Sequence, residues 1–388
     1  MLASHYASVY TPDSSTLVHL LDTDTALNWT PFTIEEVILE LRRLKVQQSP
    51  EPDGIHQLIL RELADELALP LSNLFNLSFT QGRLPRQWMD AVIVPLPKVG
   101  DRSDPGNYRP VSLISVVGKA MKRLVAARLR QHLVCHGHLC HHQHGFRPDR
   151  SCLSNLILVQ ECLTEDKAKG HETDIIFVDF SSVLGLLMFL VYVNELHGQL
   201  CSPSLMYADD IKIWRTIKDP NDRSSLQADL NNVAQWADTW ALQVNTAKCA
   251  HLHLGRTDSE VVYNFQGTIL RTTSCERDLG VMVTSLPKTR ENTNRVYASA
   301  WSILGPIRRS FNHLTMDTFR LLYASHVRPR LEYGGAATYP YTPGELNQLE
   351  RVQHAASRLV VGQRGISYEG LLQATGLFRI AYLRLREI

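Results

Sequence analysis

Tyr207-Ala208-Asp209-Asp210 sets two adjacent carboxylates between Leu205-Met206 and Ile211-Lys212-Ile213-Trp214. The apolar/polar alternation after them is that of a half-buried strand, so the four residues read as the tight turn of a β-hairpin that pushes its acids out of a sheet. A third carboxylate, Asp179, ends the apolar run Ile175-Ile176-Phe177-Val178 upstream. If the two strands are neighbours, Asp179 and Asp209 come together. Carboxylates at strand ends are the minimum for two-metal phosphoryl transfer, because Mg²⁺ takes one or two of them plus substrate phosphates. Asp is also an ordinary turn residue, so the dipeptide alone carries little weight.

With 388 residues, 44% of them hydrophobic and 20% charged, the chain has material for two or three packed domains rather than a disordered tail. Seven cysteines, an odd number without a CxxC pair, argue against a secreted disulfide framework. The first fifteen residues lack the basic start and apolar core of a signal peptide, so an intracellular location, nucleus or cytoplasm, is expected. The most apolar stretch, Ile175 to Val193, is interrupted by Asp179, Ser181 and Ser182 and reads as a buried strand followed by a buried helix, not a membrane span. A net charge of +1 does not advertise nucleic-acid binding. Lys119 to Arg130, however, holds five cations and no acid, which suits either a solvated helical face or a phosphate contact.

Residues 1–30 carry little periodicity and read as a leader. Thr33 with Glu36 forms a capping box for a helix over residues 33–45, and a second helical region runs from Leu58 to Thr80. Ala91 to Leu96 and Tyr108 to Ile114 read as strands of a long hairpin whose polar loop brings Lys98, Arg102 and Arg109 to its tip, where they suit a triphosphate. Leu226 to Trp240 has helical spacing, with both tryptophans in the core. The last third reads as helices over Asn292–Phe311, Thr315–His326 and Glu345–Val361. Cys135 to His144 packs two thiols and five imidazoles into ten residues, but no second ligand pair follows at zinc-finger spacing, so metal binding is not expected there.

Several ordered blocks change the weight of the acidic turn. They are Ser49-Pro50-Glu51-Pro52-Asp53-Gly54-Ile55, Asn107-Tyr108-Arg109-Pro110-Val111-Ser112-Leu113, Gln143-His144-Gly145-Phe146-Arg147, Val178-Asp179-Phe180-Ser181 and the Tyr207 turn. Trp240-Ala241-Leu242-Gln243-Val244-Asn245 with Lys248-Cys249, Asp278-Leu279-Gly280-Val281, Val327-Arg328-Pro329-Arg330-Leu331-Glu332-Tyr333 and Leu349-Glu350-Arg351-Val352-Gln353 follow in turn. From about residue 32 the chain thus resembles the reverse transcriptase of non-LTR (LINE-type) retrotransposons. Each block is weak alone; their collinearity is what carries the likeness.

The resemblance implies an α+β right-hand polymerase with fingers, a ferredoxin-like palm and a helical thumb. It implies fingers and palm over residues 31–255 and primer grip and thumb over 256–388. It also implies an RNA template, a DNA primer, dNTPs and Mg²⁺ (or Mn²⁺), with no membrane partner. Asp179, Asp209 and Asp210 would be the metal ligands and catalytic acids, with the Phe180 carbonyl beside them. Lys98, Arg109, Phe180 and Tyr207 would meet the nucleotide, and Lys248 would protonate pyrophosphate. Gln143, Gly145, Phe146 and Arg147 would lie by the template, and Leu279-Gly280 would grip the primer.

One departure is large. After Ser181 the family continues through an Ala-Phe-Asp segment, a helix and a strand to a Pro-Gln-Gly-Ser-Val-Leu-Gly-Pro block, whereas this chain passes directly to Ser182-Val183-Leu184-Gly185-Leu186. Several tens of residues are missing near 181–182. A helix from Val183 to Leu196 is left to link the Asp179 strand to the hairpin. The palm is therefore expected to be incomplete and polymerase activity slight or absent, with a non-catalytic nucleic-acid-binding remnant as the alternative. No endonuclease precedes residue 30 and no Cys/His segment follows Ile388, so an autonomous retrotransposition cycle is not expected.

Overall fold

The structure, a computed structural model, describes residues 29–46, 53–97, 101–180, 193–240, 242–255, 261–285, 288–311, 313–340, 342–360 and 365–385. The expected leader up to residue 28, Lys98 and most of the expected Val183–Leu196 helix lie outside the described residues. Two compact units divide the chain, residues 1–137 and 138–388.

In the first unit, helix α1 (Ile34–Arg42) starts as the capping box requires: the Thr33 hydroxyl accepts from the Glu36 backbone at 3.2 Å, and the Glu36 carboxylate accepts from the Thr33 N–H at 2.9 Å. The expected second helix is two, α2 (Gln57–Glu62) and α3 (Ala64–Gln81), and α3 ends on Gly82 in the left-handed conformation. After a short turn of helix, α4 (Arg86–Met89), strands β1 (Ala91–Pro97) and β2 (Tyr108–Ile114) form the expected antiparallel hairpin, with Leu96 opposite Arg109. Helix α5 (Val116–Cys135) closes the unit by packing Val117, Met121 and Leu124 with Val37, Leu41, Leu60 and Phe75. Its basic run is partly internal. Arg123 pairs with Glu40 at 2.9 Å, while Arg128 pairs with Glu36 at 2.6 Å and covers the Phe32 ring at 4.5 Å. Lys122 and Arg130 face solvent.

The second unit begins with α6 (Cys152–Ala168) and centres on a five-stranded sheet in the order β4-β5-β3-β6-β9. Its strands are β3 (Glu172–Val178), β4 (Ser204–Tyr207), β5 (Asp210–Ile217), β6 (Ala250–Leu254) and β9 (Arg271–Thr273), antiparallel except for the β6–β9 pair. Side chains alternate across β3. Ile176 and Val178 meet Leu226, Leu230, Val233 and Trp236 of helix α7 (Pro220–Thr239), and Ile175 meets Val159 and Leu163 of α6 on the opposite face. Both faces are therefore covered, which explains why β3 reads as a continuous apolar run rather than an alternating one. This corrects the half-buried sheet expected from the alternation in β5: Lys212 is 1% exposed.

Two further hairpins, β7 (Asn264–Phe265) with β8 (Thr268–Ile269) and β10 (Cys275–Asp278) with β11 (Val281–Thr284), lead into helices. These are α8 (Arg290–Ser310), α9 (Met316–Leu322), α10 (Arg328–Glu332), α11 (Pro343–Ser357), α12 (Tyr368–Thr375) and α13 (Ile380–Leu385). Leu304, Phe319, Leu331, Leu349, Val352, Ile380 and Leu383 make the common core of α8 to α11 and α13. The helix expected to reach His326 instead widens into a π turn over Tyr323–Val327. Pro329 lies just beyond; its missing N–H leaves the carbonyl four residues back without a helical donor. Among the described residues no helix is long and apolar enough to cross a membrane.

Asp174 of β3 is a fully buried carboxylate. It accepts from Tyr263 at 2.7 Å, meets His253 Nδ1 at 2.6 Å and lies 3.2 Å from His251 Nε2. Burial works against its charge, yet the bonds from His251, His253 and Tyr263 prevail and hold it below the usual carboxylate range. His253 is raised in turn, chiefly by its bond to Asp174. The Asp174 contribution is full above its unfolded value of about 3.9 and is lost as pH falls through the lower folded value. The His253 contribution is full below about 6.5 and is lost as pH rises through its higher folded value. Asp174→Asn is expected to cost about 3–5 kcal/mol in urea denaturation near pH 6 and to flatten both flanks of the stability-versus-pH curve; a loss under about 1 kcal/mol would refute the role given to this carboxylate.

Candidate active site

The acidic hairpin forms as its sequence requires. Tyr207 pairs with Asp210 across a two-residue turn, Ala208-Asp209, and Ala208 takes φ +55°, the left-handed region that an alanine adopts only when its surroundings hold it there. The holding group is Gln143, 2% exposed. Its Oε1 accepts from the Ala208 N–H at 3.0 Å and from the Gly145 N–H at 2.7 Å, while its Nε2 donates to the Ala208 carbonyl at 3.3 Å. A side chain at Gly145 would collide with the Ala208 backbone nitrogen, so the approach needs glycine. Flanking bonds, His144 N–H to Met206 O at 2.8 Å and Met206 N–H to His142 O at 2.9 Å, lay this segment along β4.

Asp179 follows the last residue of β3. Val178 stands opposite Ile211, so the next step along places Asp179 beside Asp210 on the adjacent strand. Its carbonyl accepts from the Asn245 N–H at 2.8 Å, and its N–H reaches the Cys249 sulfur at 3.5 Å. Phe180 bridges to Val244 and packs edge-on against Trp236. The Lys248 ammonium lies 3.0 Å from Asp179 Oδ2. Asp210 opens to solvent but is ringed by protein atoms. That partial desolvation, followed by the charges of Asp209, Asp179 and Asp278, lifts its carboxyl to about 6.

Beneath the acids, Lys212 Nζ pairs with Asp278 Oδ2 and donates to Asn155 Oδ1 on α6. Asp278 is 4% exposed, and burial pushes the lysine down and the aspartate up. Asp278 carries the β10–β11 turn, in which Leu279 and Gly280 have φ +41° and +90°, the two left-handed positions of a type I′ hairpin. The Tyr333 hydroxyl donates to the Leu279 carbonyl at 2.6 Å, and Arg295 donates to the Gly280 carbonyl at 2.7 Å. A cavity of about 600 Å³ opens here, lined by Tyr207, Asp210 and Cys152 on one side, by Leu279 and Gly280, and by Arg277, Arg295, Arg330 and Tyr333. The Cys152 thiol, then burial, pushes Tyr207 up to about 12; for Tyr333, also about 12, burial comes first and Cys152 second.

Residues 96–183 match the reverse transcriptase (RNA-dependent DNA polymerase) family. The chain carries the RNA-directed DNA polymerase domain of non-LTR retrotransposons. The probable RNA-directed DNA polymerase from transposon BS of Drosophila melanogaster is 23% identical over 407 aligned positions, covering 85% of this chain and 44% of the relative. The RNA-directed DNA polymerase from mobile element jockey of the same species is 24% identical with the same coverage. A Pol polyprotein from type-1 retrotransposable element R1 of Bradysia coprophila is 35% identical over 103 positions, 26% of this chain and 10% of that relative. The domain thus spans less than half the length of the relatives it matches most broadly.

Within this reverse transcriptase domain, Asp179, Phe180, Lys248, Tyr207, Asp209 and Asp210 gather at one corner of the sheet, with Gln143 and Gly145 directly behind the turn and Leu279-Gly280 across the cavity. Arg147 holds the Leu139 and Cys140 carbonyls, at 3.0 and 2.5 Å, and Phe146 is exposed. Arg109 is exposed on β2 of the first unit. The sequence reading missed Lys212, Asn155 and Asp278. Lys212 stood in an alternation that implied solvent, while Asp278 was quoted only as part of a block; an acid ending one strand and a cation inside another were the available hint.

Lys212→Met is expected to cost about 3–5 kcal/mol by leaving Asp278 unpaired. It should also raise the Asp210 midpoint above about 6, because Lys212 favours the charged form. Urea denaturation and carboxyl-carbon NMR check the two parts, and a wild-type midpoint in the mutant would refute the coupling. Gln143→Ala is expected to free the Ala208 amide, seen as faster hydrogen exchange there, and to cost about 1–3 kcal/mol.

Proposed function

We propose that this domain is an RNA-directed DNA polymerase of right-hand design, with fingers and palm over residues 31–255 and primer grip and thumb over 256–388, impaired by loss of part of its palm. Its substrates are an RNA template, a DNA primer and dNTPs, with Mg²⁺ or Mn²⁺ as the ion. The observation that carries this reading is the placement of Asp179, Asp209 and Asp210 at the ends of neighbouring strands, near enough for their charges to act on Asp210, beside a cavity walled by the Leu279-Gly280 turn and three guanidiniums. Reverse transcriptases generally work with divalent metal ions. The donor set fits: burial first, and then the charges of Asp209 and Asp179, lift Asp210, a load that a cation would relieve, and hard carboxylate oxygens are what such an ion selects.

Asp179, Asp209 and Asp210, with the Phe180 carbonyl, would hold the ion, which when bound supplies Lewis-acid activation of a hydroxyl and charge neutralisation at the leaving pyrophosphate. Gln143 and Gly145 position the turn by fixing Ala208 rather than by touching template. Phe146 offers an exposed ring to a template base, and Arg147 steadies the segment that presents it. Leu279 and Gly280 approach the primer backbone, held from behind by Tyr333 and Arg295. Arg277, Arg295 and Arg330 suit phosphate oxygens, contacts that position a duplex without reading its sequence. Lys98, outside the described residues, and Arg109 would meet the nucleotide's phosphates, and Tyr207 its sugar. Lys248, beside Asp179, would deliver the proton to pyrophosphate.

Two observations support the impairment. The family match ends at residue 183, beside the 181–182 junction at which the sequence leaves the family's order of blocks. The 407-position alignment to the transposon BS relative uses only 85% of this chain, so several tens of its positions face no residue here. Among the described residues, moreover, the ligand atoms of the three carboxylates do not all fall within 4.8 Å of one another, so the corner has to close to hold an ion, and Lys248 pairs with Asp179 at 3.0 Å. The non-catalytic remnant is favoured by that same ion pair together with the cationic cavity.

Primer extension by the 388-residue chain with Mg²⁺ is expected to fall at least about a hundredfold below that of a chain carrying a relative's block between Ser181 and Ser182, since a misplacement near 1 Å costs about that much. Strong extension by the chain as it stands would overturn the impairment. In the restored chain Asp209→Ala should abolish extension, and unchanged extension would remove the site assignment. Binding to an RNA–DNA hybrid should weaken with salt, and Arg330→Gln should reduce the slope of log affinity against log salt by about one.

A further inference from the structure

The thiols and imidazoles of Cys135 to His144 lack a second ligand pair in sequence, but the fold supplies a partner from elsewhere. His197 sits in the short 3₁₀ turn Leu196–Gln199 just before β4. Cys140 Sγ lies 3.4 Å from His142 Nδ1, and the His142 and His197 rings face one another with centroids 3.5 Å apart. The ligand atoms of all three residues fall within 4.8 Å of one another, the only such group of thiol, imidazole or carboxylate side chains among the described residues. All three residues are half-buried.

We propose that Cys140, His142 and His197 form a site for a borderline transition-metal ion, zinc foremost, with its fourth position open. One thiolate and two imidazoles select Zn²⁺ over Mg²⁺ or Ca²⁺, which prefer oxygen. Zn–S near 2.3 Å and Zn–N near 2.0–2.1 Å place tetrahedral ligand atoms roughly 3.5 Å apart, so the Cys140–His142 edge already has its length, while His197 has to close by roughly an ångström and the two stacked rings have to turn out of their stack, 25° from parallel, so that both nitrogens aim at one ion. His197 Nδ1 meets Ser204 Oγ at 2.8 Å, the kind of outer partner that fixes the ring of a metal-bound histidine and leaves Nε2 for the ion. The ligands' backbones are anchored too: the Cys140 N–H donates to Asn194 Oδ1, and the His142 carbonyl accepts from Met206. An ion here would fasten the segment carrying Gln143 to the entry of β4, and so brace the Ala208 turn from outside the acidic corner.

The full chain, stripped with chelator and dialysed against Zn²⁺, is expected to retain one zinc per chain by elemental analysis. Loaded with Co²⁺, it should show a thiolate charge-transfer band and the intense visible bands of a tetrahedral site. His197→Gln should weaken Zn²⁺ binding by more than about a hundredfold, because losing a ligand exceeds the ten- to hundredfold cost of losing an outer partner. His141→Ala should leave it unchanged. Ser204→Ala keeps all three ligands and should weaken binding by about ten- to hundredfold, giving a reading even if His197→Gln fails to fold. Absence of stoichiometric zinc in the wild-type chain overturns the proposal, as does undiminished affinity in His197→Gln or in Ser204→Ala.

Discussion

Lys212 and Asp278 form an ion pair with almost no access to water, and around it the second unit is assembled. The lysine belongs to the strand that leaves the acidic turn, the aspartate to the hairpin that ends in Leu279-Gly280, and Asn155 brings in the helix on the sheet's other face. Taking two charges out of water is costly, and an apolar pair of the same volume would fill the space at least as well. What an apolar pair lacks is direction. The ammonium accepts only one arrangement of β5, α6 and the β10–β11 hairpin, and it also moderates the negative potential at Asp210 two residues away.

Above that pair, backbone contacts rather than side-chain packing shape the acidic corner. The Asn245 amide holds the Asp179 carbonyl, Gln143 holds both polar groups of Ala208, and Asn155 Nδ2 donates to the Met206 carbonyl at 3.1 Å. Amide side chains do this well because each offers a donor and an acceptor in fixed relation, so a strained turn is gripped on both sides at once. The carboxylates themselves meet solvent, one another and, at Asp179, the Lys248 ammonium.

Much of this was legible from residues alone. The strand ending at Asp179, the hairpin around Ala208-Asp209, the capping box at Thr33 and the β1–β2 hairpin all follow from local periodicity and turn chemistry, which need no knowledge of the rest of the chain. The buried cation was not legible, because one period-2 alternation describes a strand with one wet face and a strand whose second face hides a lysine against an aspartate sixty-six residues on. His197 was invisible for a similar reason: it stands fifty-five residues from His142, and only the path of the chain into β4 sets the two rings side by side. The block carrying Gln143 to Arg147 was noticed, but residue types do not tell a template contact from a clamp on the neighbouring turn.

The segment from His142 to His144 has one more consequence. Strand β4 stands at the outer end of the sheet, and an edge strand offers unpaired N–H and C=O groups to any other extended chain. Here that edge is short, four residues, and Met206 already has both its polar backbone groups engaged by His142 and His144. The contact that holds the acidic turn therefore also blunts the sheet against pairing with a second molecule. Loosening it would turn a local change at Ala208 into a tendency to self-associate.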